Sequence, residues 1–232
     1  MTTIGDNLQS QRARLWRACE QAGRPPDAVR LLAVSKTFGP DAVRDALAAG
    51  QLAFGENYVQ EGVDKIAAVG AVPGIEWHCI GPIQSNKTRP VAEHFDWVQS
   101  VDRLKIAQRL SEQRPEHLPP LQVCLQVNVD GGANKSGVTA AELPKLAAAV
   151  AALPRLTLRG LMAIPEPAPD FETARGLFTQ VRALFDALNA QGLGLDTLSM
   201  GMSDDLEAAV AAGSTMVRVG RGVFGARAYA TT

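Results

Sequence analysis

The chain has 232 residues, and its 23 basic and 24 acidic side chains leave a net charge of −1. That length suffices for a core without disulfides or a structural metal, and 46% hydrophobic residues exclude a disordered chain. The near-zero charge gives no electrostatic reason to expect a nucleic-acid or membrane partner.

The opening MTTIGDNLQSQRARLW lacks the apolar centre of a signal peptide, and no run approaches the roughly 18 apolar residues of a membrane span. A cytoplasmic protein is expected. The three cysteines, Cys19, Cys79 and Cys124, sit in apolar or helical contexts and read as reduced structural thiols.

In chain order, an amphipathic helix is predicted from Ile4 to Ala22, with Leu8, Leu15, Ala18 and Cys19 near helical spacing. Arg24-Pro25-Pro26 stops it. RLLAVSK (Arg30 to Lys36) reads as a buried strand, followed by a helix over Asp41 to Ala49. QLAFGEN and IEWHCIG are the next strands, each with a helix behind it, the second after Ser85. DWVQSV precedes a helix over Asp102 to Gln113. LQVCLQVNV precedes one within Ala140 to Leu153, where Pro144 suits a first turn. LTLRGLMAI leads to a helix over Phe171 to Ala190, TLSMG to one over Asp204 to Ala212, and MVRVG to a short tail.

Eight short apolar strands alternating with helices imply parallel pairing and right-handed crossovers. Eight such units in this length fit a (β/α)8 barrel better than an open doubly wound sheet. No long linker or composition shift divides the chain, so residues 1–232 are expected to form one domain.

Barrels carry their chemistry in the loops that follow the strands. The polar residues at those ends are Lys36, Glu56, Asn57, Gln84, Asn86, Lys87, Asn128, Asp130, Ser199, Ser203, Arg218 and Arg221, with Met162 and Met200 beside them. MGMSDDLEAAV puts Ser203 at the N-cap of a helix, and VGRGVFG puts Gly220 and Gly222 at the neighbouring strand end. Barrels bind phosphate between strands seven and eight with such elements. Asp204 and Asp205 oppose this unless they point away; taken alone, the serine is an ordinary cap and the glycines are turns.

In LLAVSK the alternation puts Leu32, Val34 and Lys36 on one side, so Lys36 points into the barrel mouth if Val34 fills the interior. An amine among apolar neighbours is a nucleophile for an aldehyde. Arg218 shares a parity with Gly220 on the strand that closes against the first. His78, His94 and His117 are dispersed without metal-ligand spacing, and His78 reads equally as a core histidine. No serine-hydrolase elbow, Walker loop or dinucleotide fingerprint is present.

With these residues in view, the chain resembles the pyridoxal phosphate homeostasis protein family, single-domain relatives of the alanine racemase N-terminal barrel. The resemblance rests on LLAVSKTFGPDAVRDALAAG, FGENYVQE, IEWHCIGPIQSNK, NKSGV, LRGLMAIP and LSMGMSDDLEAAVAAGSTMVRVGRGVFGAR, which together span nearly the whole chain. It implies a (β/α)8 barrel with an extra N-terminal helix and pyridoxal 5′-phosphate (PLP) as cofactor. Lys36 would hold it as a Schiff base, Ser203 and the Gly220–Arg221–Gly222 loop its phosphate, and Arg218 would face the pyridine nitrogen. Asn57 and Met200 would lie beside it. Cys79 and Arg221 depart from many relatives, which makes the backbone of Arg221 the firmer phosphate contact.

An arginine at the pyridine nitrogen favours its unprotonated form and a weak electron sink. Racemisation needs a second base, and Tyr58 and Tyr229 are the only tyrosines. The leading expectation is a monomeric carrier or regulator of PLP, supplying apo-enzymes without strong catalysis. The alternatives are a PLP-dependent amino-acid racemase with an open site, and a cofactor-free Schiff-base lyase on a phosphosugar. Lys65, Lys87 and Lys135 are candidates for a secondary site.

Overall fold

Nine strands and nine helices occur among the residues described, 2–131 and 136–225, in the computed structural model. Strands β1 (Arg30–Val34), β2 (Ala53–Glu56), β3 (Glu76–Cys79), β4 (Trp97–Val101) and β5 (Leu121–Asn128) pair in sequence, all parallel. β7 (Leu156–Met162), β8 (Thr197–Ser199) and β9 (Met216–Val219) continue the sheet from β5, and β9 closes on β1 with Leu32 opposite Arg218. The eight strands thus form a closed parallel barrel, as the alternation of apolar strands and helices predicts. β6 (Val138–Thr139) pairs only with β5, outside the ring. Two residues are too short for any periodic signal, so the sequence gives no hint of it.

The outer layer is α1 (Ile4–Gln21), α2 (Pro40–Ala48), α3 (Val59–Val69), α4 (Thr88–His94), α5 (Leu104–Gln113), α6 (Leu143–Ala151), α7 (Phe171–Ala190), α8 (Leu206–Ala211) and α9 (Arg221–Phe224). Predicted bounds differ by a residue or two at most ends, and α7 agrees at both. The single turn α9 was expected as tail; four residues carry too little periodicity to announce a helix.

Helix α1 opens with a capping box, in which Thr3 Oγ1 accepts from the Asp6 amide while Asp6 accepts from the Thr3 amide. It buries Leu8, Leu15, Ala18 and Cys19, the stripe read from the sequence. Its polar face ties it to the last strand–helix units. Arg14 makes a two-pronged pair with Glu207 at 2.7 Å for each bond and donates to the Ser203 carbonyl at 2.8 Å; Asn7 donates to the Val223 carbonyl at 3.0 Å.

Most buried apolar side chains lie between sheet and helices. Within the ring, Leu32, Val34, Ala53, Ile80 and Met216 form one small cluster and Trp97, Cys124 and Met162 another. Leu32 and Val34 therefore do face the interior. Polar side chains fill the rest: His78 stacks on Trp97 at 5.0 Å, and Gln99, Ser199 and Arg218 follow it toward the mouth. Cys19, Cys79 and Cys124 are free and buried, and burial pushes the thiols of Cys79 and Cys124 up to about 12.

Candidate functional site

A cavity of about 570 Å³ opens at the C-terminal ends of the strands. Lys36, Asn57, Ser203, Arg218, Gly220 and Arg221 all line it, with Val34 and Ile80 at its floor and Ile164, Met202 and Asp204 at its sides. Six of the eight predicted site residues thus line one cavity. Met200 and Gly222 do not line it. Met200 follows β8 but is wholly buried, packed in the core between barrel and helices. Gly222 lies in α9, where a β-carbon would come within 2.8 Å of Gln11 and 2.9 Å of Val219. Its lack of a side chain answers to the packing of α1.

Lys36 follows β1, half-buried. Behind it lies a largely buried polar network. Lys65 on α3 donates to the Ser35 carbonyl at 2.8 Å, to Glu56 Oε1 at 2.6 Å and to Glu61 Oε1 at 3.1 Å. Ser35 Oγ donates to Glu56 Oε1 at 2.5 Å, and the Thr37 amide donates to Glu61 Oε1 at 2.5 Å. Thr37 has φ of 68°, in the left-handed region. Burial raises the Glu56 carboxyl, against the lowering effect of its bonds from Lys65 and Ser35. Lys65 is therefore committed to this network. Lys87 is exposed at the end of a single 3-10 turn and does not line the cavity, and Lys135 lies outside the described residues.

Asn57 follows β2, and its Oδ1 is buried without a hydrogen-bond partner. Its backbone is fixed by Gly81, where a β-carbon would sit 2.0 Å from the Asn57 carbonyl oxygen. Any larger residue at position 81 would push the Asn57 loop away from the cavity.

Arg218 is 4% exposed. It donates to the Ser199 carbonyl at 2.7 Å, to Ser199 Oγ at 2.8 Å and to the Ala163 carbonyl at 2.9 Å. Burial pulls it down to about 10 while Asp205 opposes the shift, so it stays charged at neutral pH. Ser199 Oγ accepts from Arg218 and must give its own proton to Gln99 Oε1, 2.5 Å away. That turns Gln99 Nε2 toward His78 Nδ1 at 3.0 Å and leaves the histidine neutral with its proton on Nε2, 3.5 Å from Glu76 Oε2. Burial also lowers the His78 pKa. His78 is a core histidine within a polar chain that ends on Arg218.

Ser203 is not a helix cap. α8 begins at Leu206 with Asp205 preceding it, and Asp205 Oδ1 accepts from the Met202 amide at 2.6 Å. The run Ser203-Asp204-Asp205 holds three residues of capping type, and the last takes the position. Ser203 instead sits in the turn before the helix, held by Arg14 through its carbonyl. Asp204 faces the cavity and pairs with Arg221 at 3.0 Å, with both side chains largely exposed. Of the two acids beside the proposed phosphate loops, one is neutralised by Arg221 and the other is turned to the backbone.

The closed barrel thus carries a lysine after β1 and an arginine in β9, both lining its C-terminal mouth. Residues 7–228 match the family described as alanine racemase, N-terminal domain. The chain is 60% identical over 229 residues to the pyridoxal phosphate homeostasis protein of Pseudomonas aeruginosa, covering 99% of this chain and 98% of that one. It is 54% identical over 231 residues to the protein of the same name from Escherichia coli K12, covering 99% of each. Among solved structures, PipY of Synechococcus elongatus with PLP bound is 39% identical, with a TM-score of 0.84, covering 96% of this chain and all 100% of that one. The chain belongs to the pyridoxal phosphate homeostasis protein family. Among the described residues no helix is long and apolar enough to cross a membrane, and no group of three or more metal-ligating side chains is present.

Proposed function

We propose that this chain binds PLP reversibly in the cavity at the mouth of the barrel and governs its supply to other enzymes. The observation that carries this reading is the convergence of Lys36, Arg218, Ser203 and Gly220 on one cavity. The residues present fit the cofactor. An amine, a buried acceptor at Asn57 Oδ1 that lacks a partner, and two arginines suit a phosphorylated aromatic aldehyde. The names of the family's relatives, and the PLP held by PipY, support the same ligand.

When bound, the cofactor supplies an aldehyde that condenses with a primary amine, forming a C=N bond and releasing water, and a ring that withdraws electrons. Lys36 is the amine in this reading. Ser203 and the backbone at Gly220 and Arg221 bind the phosphate, and Asn57 orients the ring from the β2 side. Arg218, charged and fixed by three hydrogen bonds, would face the ring nitrogen and favour its unprotonated form. Met200 and Gly222 act from behind, as packing under the loops.

We infer a carrier rather than a racemase. Tyr58, the tyrosine among the described residues, is 60% exposed and off the cavity wall, and a racemase needs a base on each face of the substrate carbon. The chain acts as a single-domain monomer in this reading.

The test is an absorbance spectrum of PLP-treated protein before and after borohydride reduction, with the modified peptide located by mass. A visible band, lost in Lys36→Ala, and a reduced adduct on Lys36 are expected. An unmodified Lys36 in the wild-type protein overturns the assignment. Proton exchange at the α-carbon of added amino acids in deuterated water, at catalytic rates, would overturn the carrier reading.

A further inference from the structure

Lys65, Glu56 and Glu61 take no part in lining the cavity, yet they hold the root of the residue that does. Two peptide groups flank the Lys36 α-carbon, and their planes define its φ and ψ. The carbonyl of the first, from Ser35, accepts from Lys65 Nζ at 2.8 Å, and the amide of the second, from Thr37, donates to Glu61 Oε1 at 2.5 Å. Lys65 and Glu61 bond each other at 3.1 Å, so the two flanking peptides are joined through one ion pair. Glu56 anchors that pair from the barrel side, 2.6 Å from Lys65, and also receives the Ser35 hydroxyl.

The side chains of Lys65 and Glu56 are 3% and 0% exposed. Three acceptors meet the three protons of the Lys65 ammonium, which leaves it none for a ligand. Thr37, β-branched at φ of 68°, occupies a backbone region such residues enter only when their surroundings hold them. Glu61 is what holds it.

We propose that Lys65, Glu61 and Glu56 are positioning residues for Lys36, an internal clamp that fixes its backbone so the amine is presented to the aldehyde of the ligand. This rests on the assignment of Lys36 as the PLP-bearing lysine. The clamp acts on covalent attachment alone, because its bonds run to the Ser35 and Thr37 peptide groups that flank Lys36.

The experiment compares wild type, Glu61→Ala and Glu61→Gln in the full-length protein, using two probes: PLP, and pyridoxine 5′-phosphate, which has the ring and phosphate but no aldehyde. Glu61 is the clamp member with a partly exposed side chain, at 32%, so its variants should fold. Glu61→Ala should weaken PLP binding about tenfold, the scale of one lost charge-assisted hydrogen bond. Pyridoxine 5′-phosphate binding should stay within about twofold of wild type. Glu61→Gln keeps an acceptor for the Thr37 amide and should recover most of the loss. In cofactor-free protein, hydrogen exchange of the Thr37 amide should accelerate in Glu61→Ala and not in Glu61→Gln.

Equal weakening of both probes would show a merely structural role and overturn the proposal. So would unchanged PLP affinity in Glu61→Ala. If Glu61→Ala does not fold, hydrogen exchange and PLP affinity in Glu61→Gln and in Thr37→Gly, which removes the strain, decide: wild-type values in Thr37→Gly with protected exchange in Glu61→Gln support the clamp, and a PLP defect in Glu61→Gln without faster Thr37 exchange overturns it. Failure of the underlying assignment looks different, since wild-type protein would then carry no borohydride-reduced PLP on Lys36.

Discussion

The two sides of the cavity are built in opposite ways. On the side of β1, β2 and α3, the backbone around Lys36 is held by charged groups withdrawn from water: Glu56 and Lys65 are buried, and even the more open Glu61 is spent on bonds to Thr37 and Lys65. On the side of β8 and β9, Arg218 is buried within the barrel, but the charges at the rim are in water, Arg221 and Asp204 being paired but largely exposed, and the loop is steadied from outside by Arg14 of α1. Buried charges hold geometry because leaving one unpaired is costly; exposed charges exchange partners at little cost. A wall that must aim one amine needs the first kind. A wall that must catch and release an anion needs the second. Reversible binding of a phosphorylated aldehyde calls for both in one cavity.

The contrast breaks most readily on the buried side. Lys65→Met leaves Glu56 in a dry site without its cation and should cost about 3–5 kcal/mol of stability, read as a lower urea midpoint. A loss below about 1 kcal/mol would mean that the wall is held by packing and that its charges are incidental. Next in size is Ser199→Ala, which removes one acceptor from Arg218 and the donor to Gln99 inside the barrel. About 1–3 kcal/mol is expected by the same measurement. The Arg218 side chain keeps its bonds to the Ser199 and Ala163 carbonyls, so this variant should still bind PLP.

A smaller effect tests the far end of the polar chain. The His78 ring N–H, 3.5 Å away, and then the Arg30 guanidinium hold the Glu76 carboxyl down to about 2, against burial. Burial holds His78 below its ordinary value. In both cases the unfolded chain binds protons more readily than the folded one, so stability falls on acidification. The histidine contribution is lost as pH drops below about 6.5. The Glu76 contribution is present above its unfolded value near 4.5 and is lost as pH falls toward 2. Urea midpoints measured across this range should fall toward acid, and Glu76→Gln should flatten the lower part of the curve. An unchanged curve in that variant would remove Glu76 from the account.

How much of this was legible in the sequence follows the same division. Strand ends carry a barrel's chemistry, so Lys36, Asn57, Ser203, Arg218, Gly220 and Arg221 could be named from strand alternation and loop composition, and all six line the cavity. Met200 and Gly222 could be placed near it in sequence but not in space: one turns into the core, and the other answers to Gln11, whose proximity depends on how α1 docks. The cap of α8 was misplaced because Ser203, Asp204 and Asp205 all suit the position, and local propensity cannot choose among them. Lys65 was harder still. From the sequence it is only a candidate for a secondary site, and only the packing of α3 on β1 and β2 takes it out of water and onto Glu56. The positions that line the cavity were readable; the groups packed behind them depend on tertiary contacts.

The smallest expected effect on stability is the sharpest test of the exposed wall. Asp204→Asn breaks the 3.0 Å pair with Arg221 at a site where both side chains are in water, so stability should change by less than about 0.5 kcal/mol. Ligand binding should respond differently. Removing the carboxylate both lifts its repulsion of a phosphate and frees Arg221 to turn toward it. At surface dielectric such a change is worth about 1 kcal/mol, or roughly fivefold in affinity. Pyridoxine 5′-phosphate should therefore bind more tightly to Asp204→Asn, by a margin that shrinks as salt is raised. The Lys36 clamp is untouched, so PLP should gain by the same factor and no more. A gain for PLP alone would place Asp204 with the amine wall, and weaker binding of both would make its pairing with Arg221 part of the loop's working geometry.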